Sequence, residues 1–254
     1  MQNKYIADVG DFGKFQLFRF LFNHSDSPLN SLPLAQIWFF HHGEDENNND
    51  GKHINYFEKM KGHDAFLEKG LQKLIRTNER NLQGLASLNL LDDIKFFYDE
   101  VPKEKEQREV WLEKAKSFTQ GSKVVAVAPD NGMALKCQRA EKEFVFLGKE
   151  DFKQKKEAHK YIFADEVEEF YNLKHIELTI VYQHLGRCFS HNEQIEVILK
   201  SLQEKYLHIV AIKHKPYSPR VFFFLCKSEK MKDEVVERLR AFTEKFVGFW
   251  EIFE

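Results

Sequence analysis

Apolar residues along this chain follow helix spacing and strand spacing in turn. In residues 11–22 they recur every third or fourth position, which predicts an amphipathic helix. Short unbroken apolar runs predict buried strands at residues 35–40, 94–98 and 124–127. Further helical patterns lie at residues 64–91, where we expect a break near Gly84, and at residues 104–118. The first half of the chain therefore alternates between helices and strands.

The second half continues this alternation. Strands are predicted at residues 178–182, 207–212, 221–226 and 249–253, and helices at residues 163–171, 192–206 and 230–246. A turn at residues 215–219, Lys-Pro-Tyr-Ser-Pro, predicts a hairpin between two of the strands. Strands that alternate with helices predict an α/β fold, a mostly parallel sheet flanked by helices with a C-terminal antiparallel hairpin. We expect residues 1–254 to form a single α/β domain.

Composition narrows the class of protein. The 254 residues are 43% hydrophobic and 31% charged and include 25 Phe, which excludes disorder as the main state. The formal net charge of -2 excludes a surface that attracts polyanions everywhere, so nucleic acid would have to bind to a local patch. The lysines of residues 149–160 are a candidate for such a patch, although charge runs are usually solvated faces.

Cysteine usage and the N-terminal residues bear on location. Cys137, Cys188 and Cys226 lack the spacing of zinc or redox motifs, which predicts free thiols in a reducing cytoplasm. No signal peptide or membrane-spanning segment is apparent, so we expect an intracellular protein that does not bind membranes. His41 and His42 have no third ligand at a useful spacing, so no metal site is predicted.

The clearest candidate site follows the strand at residues 124–127. That strand runs into Ala128-Pro129-Asp130-Asn131-Gly132. Ligands of parallel sheets bind at the carboxyl ends of strands, so we expect Asp130 and Asn131 to face a crevice and to be catalytic. The alternative is an ordinary turn, because Pro-Asp-Asn-Gly favours one. Asp8 and Asp11 flank the first helix and are candidates for the same crevice, or for helix capping.

Other polar residues are candidates for substrate contacts. His184 and Gln183 end an apolar strand, where an imidazole is a candidate catalytic group and an amide can read a base edge. The remaining candidates for substrate binding are Asp50, Lys52, His53, Tyr182, Arg187, Lys213, Lys215 and Arg220. The basic members of this set suit phosphates, and Tyr182 and Tyr217 suit stacking on a base. A solvated loop is the competing interpretation of residues 49–53.

The order of these elements resembles that of Rossmann-like methyltransferases, especially the bacterial adenine methyltransferases of ribosomal RNA. The resemblance implies a Rossmann-like sheet. In that family the strand at residues 124–127 is followed by Asp-Pro-Pro-Tyr, where this chain has Ala128-Pro129-Asp130-Asn131. The family's glycine-rich cofactor loop is replaced by residues 43–51, Gly-Glu-Asp-Glu-Asn-Asn-Asn-Asp-Gly, whose carboxylates would repel that of S-adenosylmethionine. This departure argues against ordinary methyl transfer.

The chain also looks like a group of bacterial proteins of unknown function. They share a Gly-Asp-x-x-Lys helix start, Asn-Asp-Gly-Lys-His, Asp-Pro-Asp-Asn-Gly and Tyr-Gln-His, which match residues 10–14, 49–53, 128–132 and 182–184 here. Ala128 is the departure, because it stands where that pattern has an acid. Natural drift and deliberate removal of a catalytic acid are the two explanations.

These observations predict a nucleic-acid enzyme that performs hydrolysis on a flipped base. We expect a DNA N-glycosylase with no cofactor, with position 128 or Asp130 supplying the acid, and a role in defence against phage DNA. The alternatives are an S-adenosylmethionine-dependent methyltransferase, a non-catalytic adaptor, or a magnesium-dependent nuclease that uses Asp8, Asp11, Asp130 or Glu166. The choice between DNA and RNA and the oligomeric state stay open.

Overall fold

The computed structural model describes residues 2–25, 27–30, 32–42 and 51–254. Its main feature is a seven-stranded sheet with the strand order β11-β9-β10-β8-β3-β1-β2. These strands are β1 (Leu34–Trp38), β2 (Ile94–Phe97), β3 (Val124–Ala128), β8 (Leu178–His184), β9 (His208–His214), β10 (Arg220–Cys226) and β11 (Trp250–Phe253). Four shorter strands form two separate pairs: β4 (Gly132–Met133) with β7 (Tyr161–Ile162), and β5 (Leu135–Gln138) with β6 (Glu143–Phe146).

Helices cover both faces of the sheet. On one face lie α1 (Val9–Phe22), α2 (Ala65–Arg76), α3 (Leu82–Ser87) and α7 (Glu229–Lys245). On the other lie α4 (Lys105–Phe118), α5 (Ala164–Tyr171) and α6 (His191–Gln203). Successive strand residues contribute to opposite cores, as when Val124 joins the first face and Val125 the second. The fold is therefore mixed α/β with helices on both faces, as the alternation predicts.

Parallel pairing is confined to the N-terminal half of the sheet. β2, β1, β3 and β8 pair in parallel, whereas β10, β9 and β11 join them through antiparallel pairs. The prediction of a mostly parallel sheet thus holds for this half, and the predicted C-terminal hairpin is β9–β10. This hairpin inserts β10 between β8 and β9, which reverses the strand direction.

A crevice is expected where neighbouring strands send their connections to opposite faces of the sheet. β1 and β3 are such a pair, because α2 and α3 follow β1 on one face and α5 follows β3 on the other. The chain segments after β1 and β3 therefore meet at the carboxyl edge of the sheet.

The predicted break near Gly84 separates α2 from α3, and it falls a few residues earlier, before Leu82. The Asn81 side chain caps α3 by accepting a hydrogen bond from the Gly84 amide at 2.8 Å, so Gly84 lies inside that helix. The prediction of three free thiols is wrong for two of them. Cys137 and Cys188 form a disulfide between β5 and the loop after β8, with Cα atoms 6.5 Å apart. Their separation of 51 residues concealed this proximity. Cys226 is a buried free thiol.

A buried ion pair anchors the segment between β6 and α5. Arg108 of α4 donates from Nε to Glu166 Oε1 at 2.6 Å and from Nη2 to Glu166 Oε2 at 2.7 Å. The same guanidinium donates to the backbone carbonyl of Tyr161 at 2.6 Å. Glu166 is fully buried in this pair, so it is a structural residue and the suggestion that it binds magnesium is wrong.

Among the described helices, none combines the length and apolar character needed to cross a bilayer.

We expect Glu166→Ala to lower the free energy of unfolding by about 3–5 kcal/mol, because it leaves the Arg108 guanidinium buried without its anion. The control is Lys123→Ala, which removes an exposed pair with Glu177 and should cost less than about 1 kcal/mol. Chemical denaturation of both variants measures the difference. Equal losses in the two variants would contradict a structural role for the buried pair.

Candidate functional site

A cavity of about 350 Å³ opens at the carboxyl edge of the sheet. We call it the site cavity. Much of its lining comes from the start of α1, the end of β3 with the residues after it, the end of β8, and the start of β10. The lining includes Asp8, Gly10, Asp11, Lys14, His53, Ala128, Asp130, Asn131, Tyr182, His184, Arg220 and Phe222. All six positions predicted to be catalytic thus line one cavity.

Asp130 is a carboxylate of the site cavity that lies against a histidine side chain. Its Oδ2 lies 2.6 Å from Nε2 of His41, which belongs to the segment after β1, and both side chains are buried. Burial on its own raises the pKa of Asp130, but nearby positive charge and the hydrogen bond from His41 outweigh that effect and hold the pKa at about 2. Asp130 is therefore ionised at every physiological pH.

The pKa of Asp8 is displaced in the opposite direction, upward. Its Oδ1 accepts hydrogen bonds from the amides of Gly10 at 2.7 Å and Asp11 at 3.0 Å, so Asp8 and not Asp11 is the cap of α1. Burial raises the pKa of Asp8 although the Arg220 charge lowers it. The site cavity thus contains two carboxyls whose proton affinities are displaced in opposite directions.

Asp11 is engaged in a buried ion pair. Its Oδ1 lies 2.8 Å from Nζ of Lys14, and its Oδ2 accepts from the Ala7 amide at 3.1 Å. The Lys14 ammonium also lies 4.0 Å from the ring centre of Trp38. With both oxygens occupied, Asp11 holds the Lys14 ammonium in position.

Aromatic groups form one wall of the site cavity. The rings of Tyr182 and Phe222 meet edge to face with centroids 5.7 Å apart. Burial raises the pKa of Tyr182 to about 12, so its hydroxyl stays protonated. At the mouth, the exposed Tyr217 lies 4.9 Å from the His53 ring and holds a positive φ of 61°, an unusual backbone state for a bulky residue. Flat surfaces for a planar ligand are therefore present.

Several predicted substrate contacts do not reach the site cavity. Side chains alternate along a strand, so Gln183 points away from the face that Tyr182 and His184 share. Its amide instead accepts from the Met133 amide at 2.6 Å and donates to the His184 carbonyl at 2.8 Å. A β-carbon at Gly132, where φ is 94°, would overlap this amide, which makes glycine necessary there.

Of the basic residues predicted to contact substrate, some line the site cavity and others do not. Arg220 lines the site cavity, whereas Lys213 contacts Asn192 at 2.5 Å and Lys215 contacts Glu251 at 3.3 Å, beside β11. Arg187 is exposed beyond β8, and Lys52 is exposed outside the lining. These four residues were predicted as substrate contacts, and none of them lines the site cavity. Asp50 lies outside the described residues.

The sequence did not single out His41 and Lys14 as members of the site. His41 was weighed only as a zinc ligand, although it follows β1 and therefore had to lie beside the residues after β3. Lys14 stands four residues after Gly10 on the same face of α1, a spacing that was a usable signal.

In the part of the chain that the structure describes, no group of three or more His, Cys, Asp or Glu side chains is arranged to hold a metal ion.

We expect Gly10→Ala to weaken substrate binding by about tenfold or more while the fold is kept. The added β-carbon would overlap Nη1 of Arg220 and lie 3.0 Å from Asp8 Oδ1, whereas alanine favours the helix by up to about 1 kcal/mol. Binding titrations and thermal unfolding measure the two effects. Gly70→Ala in α2 is the control, and equal binding by both variants would contradict the placement of Arg220.

Comparisons with known proteins provide little beyond this geometry. No family model matches the chain, and no curated protein matches it. Among solved structures, it is similar to a Legionella pneumophila protein described by the family model DUF519, at 13% identity over 97% of this chain and 96% of that one. The TM-score is 0.43, so this likeness carries no argument about function.

Proposed function

We propose that this chain is a nucleic-acid hydrolase that removes a base from DNA by cleaving the N-glycosidic bond. The observation that carries the proposal is the pair of carboxyls in one cavity whose pKa values are displaced oppositely, Asp130 downward and Asp8 upward. Glycosidic hydrolysis uses one carboxyl that stays ionised and one that retains its proton. The two environments support this division of labour.

The carboxyls take distinct roles in the proposed reaction. As the bond between C1′ and the base nitrogen breaks, the Asp130 carboxylate stabilises the positive charge that develops on the sugar. Asp8 donates its proton to the leaving base. Water forms the new C1′–O bond, and the proton that it releases restores Asp8, so that base and abasic sugar leave with the atoms of one water added.

The aromatic wall supports recognition of an extruded base. A nucleotide taken out of the stack loses its stacking partners, and aromatic side chains can replace them. Tyr182 and Phe222 line the site cavity, and Tyr217 lies at its mouth against His53. A cavity of about 350 Å³ falls in the range of small-ligand sites. It suits a single nucleotide better than a duplex.

Ala128 is the position where this chain departs from the pattern that it resembles. It ends β3 and lines the site cavity two residues before Asp130. An aspartate there would add a carboxylate at the same edge of the sheet. We propose that this acid strengthens the electrostatic stabilisation that Asp130 provides, and that the chain with alanine works more slowly.

The crossover between β1 and β3 supports a Rossmann-like classification of the sheet, and with it the methyltransferase alternative. Residues 43–50, which would meet S-adenosylmethionine, lie outside the described residues. Micromolar binding of that cofactor would rank methyl transfer first. No observation on the described residues favours the magnesium nuclease or the adaptor. A base-removing activity fits defence against phage DNA, which makes phage DNA the first substrate to test.

The first prediction concerns the products. Incubation with modified and unmodified phage DNA should release free base and leave an equal number of abasic sites, measured by mass spectrometry and by an abasic-site assay. Ala128→Asp should raise the rate by about tenfold or more, and Asp130→Asn should lower it by about a hundredfold, since a charge beside the transition state is gained or lost.

Asp92→Asn is the matched control, because this aspartate is exposed and distant from the lining. Its rate should equal that of the parent. Intact DNA that gains methyl groups only with S-adenosylmethionine would establish methyl transfer instead. Release of no base by any variant would remove the hydrolase proposal.

The second prediction concerns pH. Asp8 must carry its proton to act as an acid, so the rate should fall as the pH rises through its elevated pKa. Asp130, with a pKa of about 2, should produce no loss of rate on the acid side above about pH 3. Asp8→Asn should be slower and should lack the alkaline decline. An unchanged alkaline decline in that variant would exclude Asp8 as the acid.

A further inference from the structure

A second cavity, of about 490 Å³, lies on the other side of the His41–Asp130 pair. We call it the basic cavity. Its lining includes a single carboxylate, that of Glu157, but four lysines and three histidines: Lys103, Lys153, Lys155, Lys160, His41, His42 and His159. A cavity with this excess of cationic groups selects an anion.

The charges of the basic cavity are only partly balanced by the protein. Lys160 contacts Glu157 at 2.5 Å. Lys155 donates to the carbonyl of Leu135 at 2.9 Å and lies 4.1 Å from the ring centre of Tyr161, and neither group is an anion. Lys153 is exposed and has no ion-pair or hydrogen-bond partner within the described residues. Negative charge from a ligand would complete the site.

The pKa of His159 reflects the same excess of positive charge. The His159 ring lies 4.9 Å from the His41 ring. Burial, together with the charges of His41, Lys160 and Lys103, lowers the pKa of His159 to about 4, against a weaker opposing effect of Glu157. His159 is thus neutral at pH 7, and its surroundings are already positive. An anion bound beside it would favour its protonated form.

The backbone holds the basic cavity rigidly against the site cavity. The Asn131 amide, next to Asp130, donates to the Lys160 carbonyl at 3.0 Å, and β4 pairs with β7 directly beyond. Arg108 donates to the carbonyls of Ala158 and Tyr161 from inside the core. Residues 158–161 therefore keep a fixed position relative to Asp130, which suits a ligand that contacts both cavities.

We propose that the basic cavity binds backbone phosphates that flank the nucleotide held in the site cavity. The pair of His41 and Asp130 separates the two cavities, with His41 lining one and Asp130 the other. A strand whose base enters the site cavity carries phosphates on both sides of that nucleotide, and lysines attract phosphates from any sequence. The identity of the polyanion rests on the proposed function, whereas the anion site rests on the lining alone.

The test compares two double variants that lose the same charge. Lys153→Ala with Lys155→Ala removes lysines of the basic cavity, and Lys136→Ala with Lys174→Ala removes exposed lysines outside its lining. Fluorescence anisotropy with a single-stranded DNA oligonucleotide should show binding weakened by about tenfold or more in the first variant. Its slope of log Kd against log salt should fall by about 1.4, the value for two phosphate contacts. The control should stay within about twofold of the parent.

A second measurement uses inorganic phosphate and NMR of the His159 ring. Phosphate should raise the His159 pKa from about 4 in the parent, and less in the cavity variant. Phosphate binding without any difference in DNA affinity between the two double variants would overturn the backbone assignment, as would failure of the parent to bind the oligonucleotide.

The outcomes separate the two proposals. DNA affinity lost in the cavity variant, with no base released by any variant, would keep the phosphate site and remove the glycosylase. Base release with equal DNA affinity in both double variants would keep the glycosylase and overturn the phosphate site.

Discussion

The hydrogen bond between His41 and Asp130 is the interaction on which this site depends. Burial alone would favour a protonated Asp130, and the positive surroundings that include His41 keep it ionised. The two residues meet because β1 and β3 are adjacent parallel strands in register, with Trp38 opposite Ala128. Sheet topology thus creates a buried negative charge at the carboxyl edge, and the same pair divides the site cavity from the basic cavity.

The start of α1 supplies the opposing half of the site. Asp8 caps the helix, Asp11 holds Lys14, and Gly10 leaves room for the Arg220 guanidinium from β10. Carboxylates from α1 and β3 therefore share one cavity with cations from α1 and β10. Because each charged group is fixed by backbone or side-chain hydrogen bonds, the cavity has little to reorganise when a ligand enters, which is the condition for electrostatic catalysis.

Local patterns predicted most long elements and the convergence of polar residues at the carboxyl edge of the sheet. Asp130, Asn131 and His184 line one cavity because the carboxyl ends of neighbouring parallel strands converge, whatever the rest of the chain does. Gln183 was misassigned although strand alternation already separated it from Tyr182 and His184. The partners of Lys213 and the disulfide of Cys137 depend on contacts between distant segments, which no local pattern contains. Strands β4 to β7 were missed, and all four pair outside the seven-stranded sheet.

The most direct test of this account is a carboxyl ¹³C NMR titration of Asp8 and Asp130 in the parent chain and in His41→Leu. We expect Asp130 to titrate at about 2 in the parent and higher in the variant, while Asp8 titrates above the ordinary value of 3.8 in both. Titration of both carboxyls near 3.8, unchanged by the loss of His41, would contradict the opposed pair on which the proposed chemistry rests.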